Sequence, residues 1–450
     1  MKSKIKIEEI NRNSFGEVDL LNKQADEARK DNNNLSLTLS KEAISLAQLL
    51  GYGKGLAKAY LNAGISCRQS SNFEAAIEYY QEALNINRRL KDKKAESRTL
   101  NAMANVYYSL SDFEKAIEYY DECVFVLQSI GDMNFEAAVL TNRGLSYQLN
   151  GDLRAALNNY LESLSIYKSS DTEIHYALYN NLGIVYLETG SYQESLLYFT
   201  KALKETQNSE NIIDESFTLA NIGRTYIYMS DFANAITYLS EAMIIMKKYG
   251  NRQAETQVFA NLAKAYMKMR CFPEAIKYYN RALKYYKEIG DKSSVDHTLC
   301  ELGELYFELN DYKTSKQFFM DGLEVSQKIN DLMNVVRINT GLARLYLKFR
   351  DTEKAMGYLN IAEKMAKTAK SYKDLSKICM IYSENYSISG NFKEAKLFLD
   401  KHYKYLEKIN NLTETNKIQA LMLGHIKDTE VKEEPAFYYN LQKDQILSIA

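Results

Sequence analysis

The chain of 450 residues has no tryptophan and only two prolines, and glycine accounts for 19 residues. Proline and glycine are the residues that most weaken a helix. Because both are scarce while Ala, Leu, Glu and Lys are abundant, the composition favours an almost entirely helical fold.

The chain also has few cysteines. The five that occur are far apart, odd in number and never spaced as CxxC. This argues against a disulfide framework or a zinc site and favours a reducing compartment. The first residues, MKSKIKIEEINRNSF, lack the apolar core of a secretory signal, and no apolar run approaches the roughly 18 residues of a membrane span. We therefore expect a cytoplasmic protein without membrane insertion.

Neither sign of charge is in excess. The 57 basic and 58 acidic side chains leave a net charge of −1, which gives no reason to expect nucleic acid as a partner. The four histidines are dispersed without a second metal ligand at helical spacing. No phosphate-binding glycine loop, nucleophile elbow or kinase signature occurs. We expect no enzymatic activity, no metal and no cofactor.

What the sequence does contain is a repeat of about 40 residues. An aromatic residue or leucine returns at Phe73, Phe113, Leu153, Tyr192, Phe232, Phe272, Tyr312 and Phe392. A small residue stands upstream in the same register, at Gly64, Ala104, Gly144, Gly183, Gly223, Ala263, Gly303 and Ala343. Three residues after the small residue there is a Tyr in every one of these units but the first, which has Cys67.

Each unit has the pattern of two helices joined by a short turn. The first helix holds the small residue and the Tyr, and the turn offers Asp, Asn or Ser as an N-cap. We expect the small residue to let the two helices approach closely and the Tyr to fill the space beside it. Neither helix can bury its apolar face alone, so the units must stack.

These residues resemble the tetratricopeptide repeat family, whose pattern is met by Gly223, Tyr226, Ala235, Tyr238 and Ala242. The 40-residue period is similar to that of Pins-type adaptors, kinesin light chains and bacterial signalling regulators of this family. The resemblance implies an all-α fold, a right-handed superhelical α-solenoid of stacked helix-turn-helix repeats. We expect a leader with a degenerate capping repeat at 1–54, nine repeats at 55–411, a capping helix at 412–428, and a charged linker with an apolar tail at 429–450.

An asparagine stands two residues before the small residue in five units. These are Asn62, Asn142, Asn181, Asn221 and Asn261. Two residues turn a helix by about 200°, so the Asn points away from the partner helix if the small residue faces it. In the resembled fold that direction is the concave groove, where the resemblance implies that Asn amides hold the backbone of an extended peptide. The alternative is that these residues hydrogen-bond between repeats.

The inferred groove positions also carry bands of charge. The basic bands contain Lys58, Arg68 and Arg98, then Arg224, Lys264 and Lys268, and finally Arg337, Arg344 and Lys348. An acidic band of Glu301, Glu304 and Glu308 lies before the last of them. The basic bands favour a ligand with acidic or phosphorylated side chains. The acidic band is expected to select a basic residue or to repel a wrong partner.

Alternatives remain open for the C-terminal tail and for the role of the whole chain. The tail PAFYYNLQKDQILSIA is apolar enough to dock on the repeats, to reach a partner, or to begin a helix leading to an effector domain. We expect a protein- or peptide-binding adaptor or regulatory module that uses the groove residues already named. The alternatives are the sensory half of a bacterial signalling system with a separate or missing effector, and a self-associating scaffold. A homodimer is left open.

Overall fold

The computed structural model describes residues 2–170, 174–208 and 212–427, with side chains from 14 to 409 outside those two gaps. This part of the chain forms twenty helices and no strand, which confirms the predicted all-α repeat fold. The helices are α1 (Lys2–Ala28), α2 (Asn33–Leu50), α3 (Gly53–Gln69), α4 (Phe73–Leu90), α5 (Lys93–Ser109), α6 (Phe113–Ile130), α7 (Met133–Leu149), α8 (Leu153–Ser169), α9 (Tyr176–Glu188), α10 (Tyr192–Asn208), α11 (Ile212–Tyr228), α12 (Phe232–Lys248), α13 (Arg252–Lys268), α14 (Phe272–Ile289), α15 (Lys292–Glu308), α16 (Tyr312–Ile329), α17 (Leu332–Lys348), α18 (Thr352–Thr368), α19 (Tyr372–Ile388) and α20 (Phe392–Lys427).

The chain forms two compact units, which divide within α9 between Val185 and Tyr186. In the first unit, α3 pairs with α4, α5 with α6 and α7 with α8 as antiparallel hairpins. In the second unit the hairpins are α11–α12, α13–α14, α15–α16 and α17–α18. The first helix of a hairpin also contacts the first helix of a neighbouring hairpin, as α15 does with α17. Each unit therefore has one face lined by first helices, which we call the first-helix face.

Short polar side chains set the helix boundaries. Asp231 caps α12 by accepting a hydrogen bond from the backbone N–H of Asn234, and Asp311 caps α16 through the N–H of Thr314. At the other end, α14 closes on Gly290, whose φ of 72° is the left-handed conformation that glycine adopts without strain. These signals recur in register, so the hairpins have similar lengths.

The small residue of the first helix is required by a large side chain of the second helix, which is an aromatic ring at Gly144 and Gly303 and Leu239 at Gly223. A Cβ atom on Gly303 would lie 2.5 Å from Phe319 Cδ1, and one on Gly144 would lie 2.7 Å from Tyr160 Cε1. The prediction that the first-helix Tyr fills this space is wrong in its detail. A ring that arrives from the facing helix reaches the gap directly, because it points across the interface.

The first-helix Tyr has a different packing role, since it stacks on a second aromatic residue of its hairpin. The ring centroids of Tyr226 and Tyr238 lie 5.5 Å apart, and those of Tyr306 and Phe318 lie 5.4 Å apart. Offset stacks of this kind add to the gain from burial alone. The hairpin α15–α16 thus uses two aromatic contacts, one at the small residue and one nearer the turn, whereas in α11–α12 the side chain at the small residue is Leu239.

The C-terminal end departs from the predicted boundaries. A separate helix was expected over 412–428, but α20 runs without a break from Phe392 to Lys427. Asn410 and Asn411 stand where other hairpins end a helix, and neither residue forces a break as proline would. Residue 428 and the predicted linker and tail at 429–450 lie outside the described residues. None of the described helices combines the length and the apolar character that a membrane span requires.

Candidate functional site

The first-helix face of the second unit holds most of the charged residues that the sequence singled out. Asn221, Asn261 and Glu301 occupy the same register position on α11, α13 and α15. One turn further along these helices stand Arg224, Lys264 and Glu304, each half-buried. The structure therefore brings two of the three predicted basic bands and the acidic band onto one face.

The basic end of this face is not neutralised. Arg224 forms no ion pair with any side chain in the described ranges, and its Nε atom is buried without a hydrogen-bond partner. The Nζ atom of Lys264 lies 5.6 Å from the ring centroid of Tyr228, and Lys268 is exposed. A buried guanidinium nitrogen without a partner costs free energy that an anionic ligand can recover.

Asn261 lies beside these cations and is half-buried. Its side-chain amide makes no hydrogen bond to the residues for which side chains are described. An amide of this kind can both donate and accept, which suits the N–H and C=O groups of a peptide backbone.

The acidic band is compensated by the next hairpin. Arg337 lies 2.9 Å from Glu301, and Arg344 lies 2.9 Å from Glu304 and 3.6 Å from Glu308. The Arg344 guanidinium also lies over Phe307, 4.4 Å from its ring centroid. The expectation that these glutamates select a basic ligand residue is therefore corrected, because their charges are already paired.

Burial and charge act in opposite directions on Glu301. Burial alone would raise the pKa of its carboxyl group, but the positive charge of Arg337, with further contributions from His297 and Lys264, lowers that pKa below its usual value. Glu301 is thus held ionised inside the α15–α17 contact. It joins two hairpins together and is not presented to a ligand.

The five asparagines that precede the small residue by two positions, here called the asparagine column, divide into two groups. Asn62 is completely buried, and its Nδ2 donates to the backbone oxygen of Asn22 at 3.1 Å. Asn62 therefore links two hairpins through a hydrogen bond and does not face the groove. This corrects the prediction for that residue. Asn142, Asn181 and Asn221 are half-buried, as Asn261 is.

The repeat pattern in the sequence did not identify one further asparagine of this column. Asn22 stands 40 residues before Asn62 and donates to the backbone oxygen of Gly55 at 3.0 Å. Its spacing was the available signal, although no aromatic or small residue marks a repeat there. In the first unit, Arg98 is exposed on α5, and Lys58 is paired with Asp26 at 2.8 Å.

No catalytic arrangement is visible among the described side chains. They contain no group of three or more His, Cys, Asp or Glu residues placed to hold a metal ion. Four of the five cysteines are buried, and burial raises the pKa of the Cys123 thiol to about 12. A thiol with so high a pKa is a poor nucleophile at neutral pH.

A sequence profile of the tetratricopeptide repeat matches seven overlapping segments. They are residues 13–89, 55–129, 95–169, 135–208, 174–248, 214–288 and 252–328. No curated protein matches the sequence significantly.

Several solved structures share the fold. The apo form of the quorum sensor NprR from B. thuringiensis aligns with a TM-score of 0.60 and 15% identity, over 78% of this chain and 98% of that one. A Rap protein complexed with competence and sporulation factor aligns with a TM-score of 0.53 and 14% identity, over 79% and 99%. A signal transduction ATPase of Pyrococcus horikoshii with a tetratricopeptide repeat sensor gives 0.56 and 15%, over 80% and 55%. At such identities these likenesses show the fold alone.

Proposed function

Because the chain belongs to the tetratricopeptide repeat family, we propose that it binds a peptide or protein segment with acidic side chains on the first-helix face of its second unit. The observation that carries this proposal is the basic patch of Arg224, Lys264 and Lys268, none of which forms an ion pair with a described side chain. A carboxylate there would accept charge-assisted hydrogen bonds and would give the buried Arg224 Nε a partner.

The neighbouring amides fit the backbone of such a ligand. Asn261 lies in the same register as Asn221, one hairpin away, and a ligand in extended conformation exposes N–H and C=O groups at regular intervals. Main-chain hydrogen bonds give affinity whatever the ligand sequence, while charged side chains give selectivity. Asn142, Asn181 and Arg98 are proposed to extend the same mode of binding within the first unit.

The likeness to a quorum sensor and to a Rap protein bound to a competence and sporulation factor supports a role in signalling. We propose a regulatory or adaptor module. A sensory half with a separate effector would use the same face. All five cysteines are free thiols, which supports a cytoplasmic location.

Selection from a random peptide library tests the proposal. The wild-type chain is expected to enrich peptides that contain Asp or Glu. The double variant Arg224→Met/Lys264→Met should lose that enrichment, because it removes both cations while keeping similar apolar volume. Circular dichroism would confirm that both chains fold alike.

The matched control is Lys284→Met/Lys287→Met, which removes the same charge from exposed positions on α14. It should select the same acidic peptides as the wild type. The proposed site would be overturned if the wild type selected peptides without acidic residues. It would also be overturned if Arg224→Met/Lys264→Met bound the acidic peptides equally well.

A further inference from the structure

The last helix, α20, carries an open stripe of apolar side chains. Phe392 is 72% exposed, Leu399 is 37% exposed and Tyr403 is 60% exposed. These residues recur at a spacing of seven and four, so they lie on one side of the helix. An adjacent side of the helix packs on α19, where the rings of Phe398 and Tyr382 lie 4.5 Å apart.

The same register position is closed in the preceding hairpins of the unit. The residues equivalent to Leu399 are Leu239, Tyr279, Phe319 and Leu359, and none is more than 2% exposed. Phe319 shows what covers the position, because its ring lies close against Gly341 of α17, the first helix of the next hairpin. The stripe on α20 is therefore a surface built to receive a first helix.

The segment directly after the stripe has the sequence of such a helix. KINNLT at 408–413 matches KINDLM at 328–333, where Asn330 adopts a φ of 56° and Asp331 caps α17. Ile418 and Met422 stand 80 residues after Ile338 and Leu342, which are fully buried in α17. Residues 412–427 thus repeat two core positions of a first helix.

This segment does not reach its own stripe in the structure. Because α20 continues through Asn410 and Asn411 to Lys427, residue 412 lies about 20 Å beyond Leu399 along the helix axis at ~1.5 Å per residue. A straight helix leads the segment away from the surface that it would cover.

We propose that two copies of the chain pair through antiparallel α20 helices, each placing residues 412–427 on the apolar stripe of the other. The register in which Phe319 meets Gly341 puts Leu399 beside position 421 of the second copy, and the two-fold axis passes near residue 410. The contact is isologous, so it closes as a dimer and does not propagate. This assembly is independent of the proposed ligand site.

Light scattering after size-exclusion chromatography tests the proposal on the full chain. The wild type should have twice the monomer mass of 51.8 kDa. Leu399→Glu should reduce the mass to that of a monomer, because it places a charge in the stripe. Leu397→Glu is the matched control, since Leu397 is 46% exposed on another side of α20, and it should remain dimeric.

A second variant tests whether the dimer forms because residues 412–427 of each copy cover the stripe of the other. Asn410→Gly/Asn411→Asp copies the Gly290–Asp291 pair that ends α14 and begins α15. It should let residues 412–427 fold back on their own stripe, giving a monomer with unchanged helix content. A wild type that is monomeric at every concentration would overturn the proposal, and so would a dimer that survives either Leu399→Glu or the turn variant.

Discussion

Gly303 illustrates how a single residue maintains the spacing between two helices. A Cβ atom there would lie 2.5 Å from a ring carbon of Phe319, closer than van der Waals contact permits. We expect Gly303→Ala to destabilise the chain by about 1–3 kcal/mol, because the facing ring must move. Thermal unfolding followed by circular dichroism measures this effect.

Gly357 provides the control for that substitution. It lies inside α18, and a Cβ atom added there would meet no other atom within 4 Å. Gly357→Ala should stabilise the chain by about 0.5–1 kcal/mol, because alanine has the higher helix propensity. Substitutions that shift the unfolding temperature in the same direction would contradict the steric explanation.

The sequence located the small residues but not their partners. Second helices such as α16 place two neighbouring large side chains, Phe318 and Phe319, within reach of the first helix, and spacing does not distinguish the one that meets the glycine from the one that stacks on the Tyr. That choice depends on the crossing of the two helices. The burial of Asn62 was hidden for a related reason, since Asn22 belongs to a hairpin with few of the repeat's marks.

Arg337 gives a prediction that depends on pH. In the wild type the lowered pKa of Glu301 stabilises the fold above the unfolded-state pKa, and that stabilisation is lost as pH falls through the folded-state pKa. Arg337→Met leaves Glu301 buried without its partner. We expect a loss of about 2 kcal/mol at pH 7, below the range for fully buried pairs because the Arg337 side chain is 30% exposed.

The loss of stability caused by Arg337→Met should be smaller at pH 4 than at pH 7. Without Arg337, burial raises the pKa of Glu301, so the carboxyl group protonates and its unpaired charge disappears. Urea unfolding at both pH values measures the difference. Lys348→Met, at an exposed position of the same helix, should show little loss at either pH. An equal loss for Arg337→Met at pH 4 and pH 7 would rule out this charge-based explanation.

At the level of single helices, the N-caps explain why the hairpins begin in register. Cys271 at α14 is an exception, as Tyr52 is at α3, because it occupies the N-cap position without a side-chain hydrogen bond. Cys271→Asp should stabilise the chain by about 1 kcal/mol by accepting a hydrogen bond from the first turn. Asp311→Ala removes such a bond from α16 and should destabilise by a similar amount. Unfolding temperatures that do not move in opposite directions would refute this role.

Helix boundaries were predictable where a cap and a strong breaker coincide. Gly290 followed by Asp291 both ends α14 and begins α15. Asn410 and Asn411 carry a weaker version of the same signal, and α20 continues through them. Glycine enters the left-handed conformation freely while asparagine is only tolerated there, and Asn330, which does end α16 in that conformation, is followed by the capping residue Asp331 where Asn410 is followed by Asn411.

At the scale of the whole molecule, the repeat predicted the all-α fold. The repeat register also indicated that these charged positions share one face, the first-helix face. The charge bands were also visible in the sequence, but their pairing was not. The glutamates of α15 are neutralised by arginines of α17, whereas Arg224 on α11 has no such partner within the described residues. Which band stays available to a ligand depends on side-chain reach between neighbouring hairpins, and a linear pattern does not contain that information.

The binding affinity of one acidic peptide from the library selection tests the central claim most directly. Fluorescence anisotropy would give its Kd for the wild type, for Arg224→Met/Lys264→Met and for Lys284→Met/Lys287→Met. We predict that the first variant binds roughly 100-fold more weakly, since each charge-assisted hydrogen bond contributes about 1.5–3 kcal/mol, while the second binds as the wild type does. An unchanged Kd for Arg224→Met/Lys264→Met would contradict the account and move the ligand away from the first-helix face of the second unit.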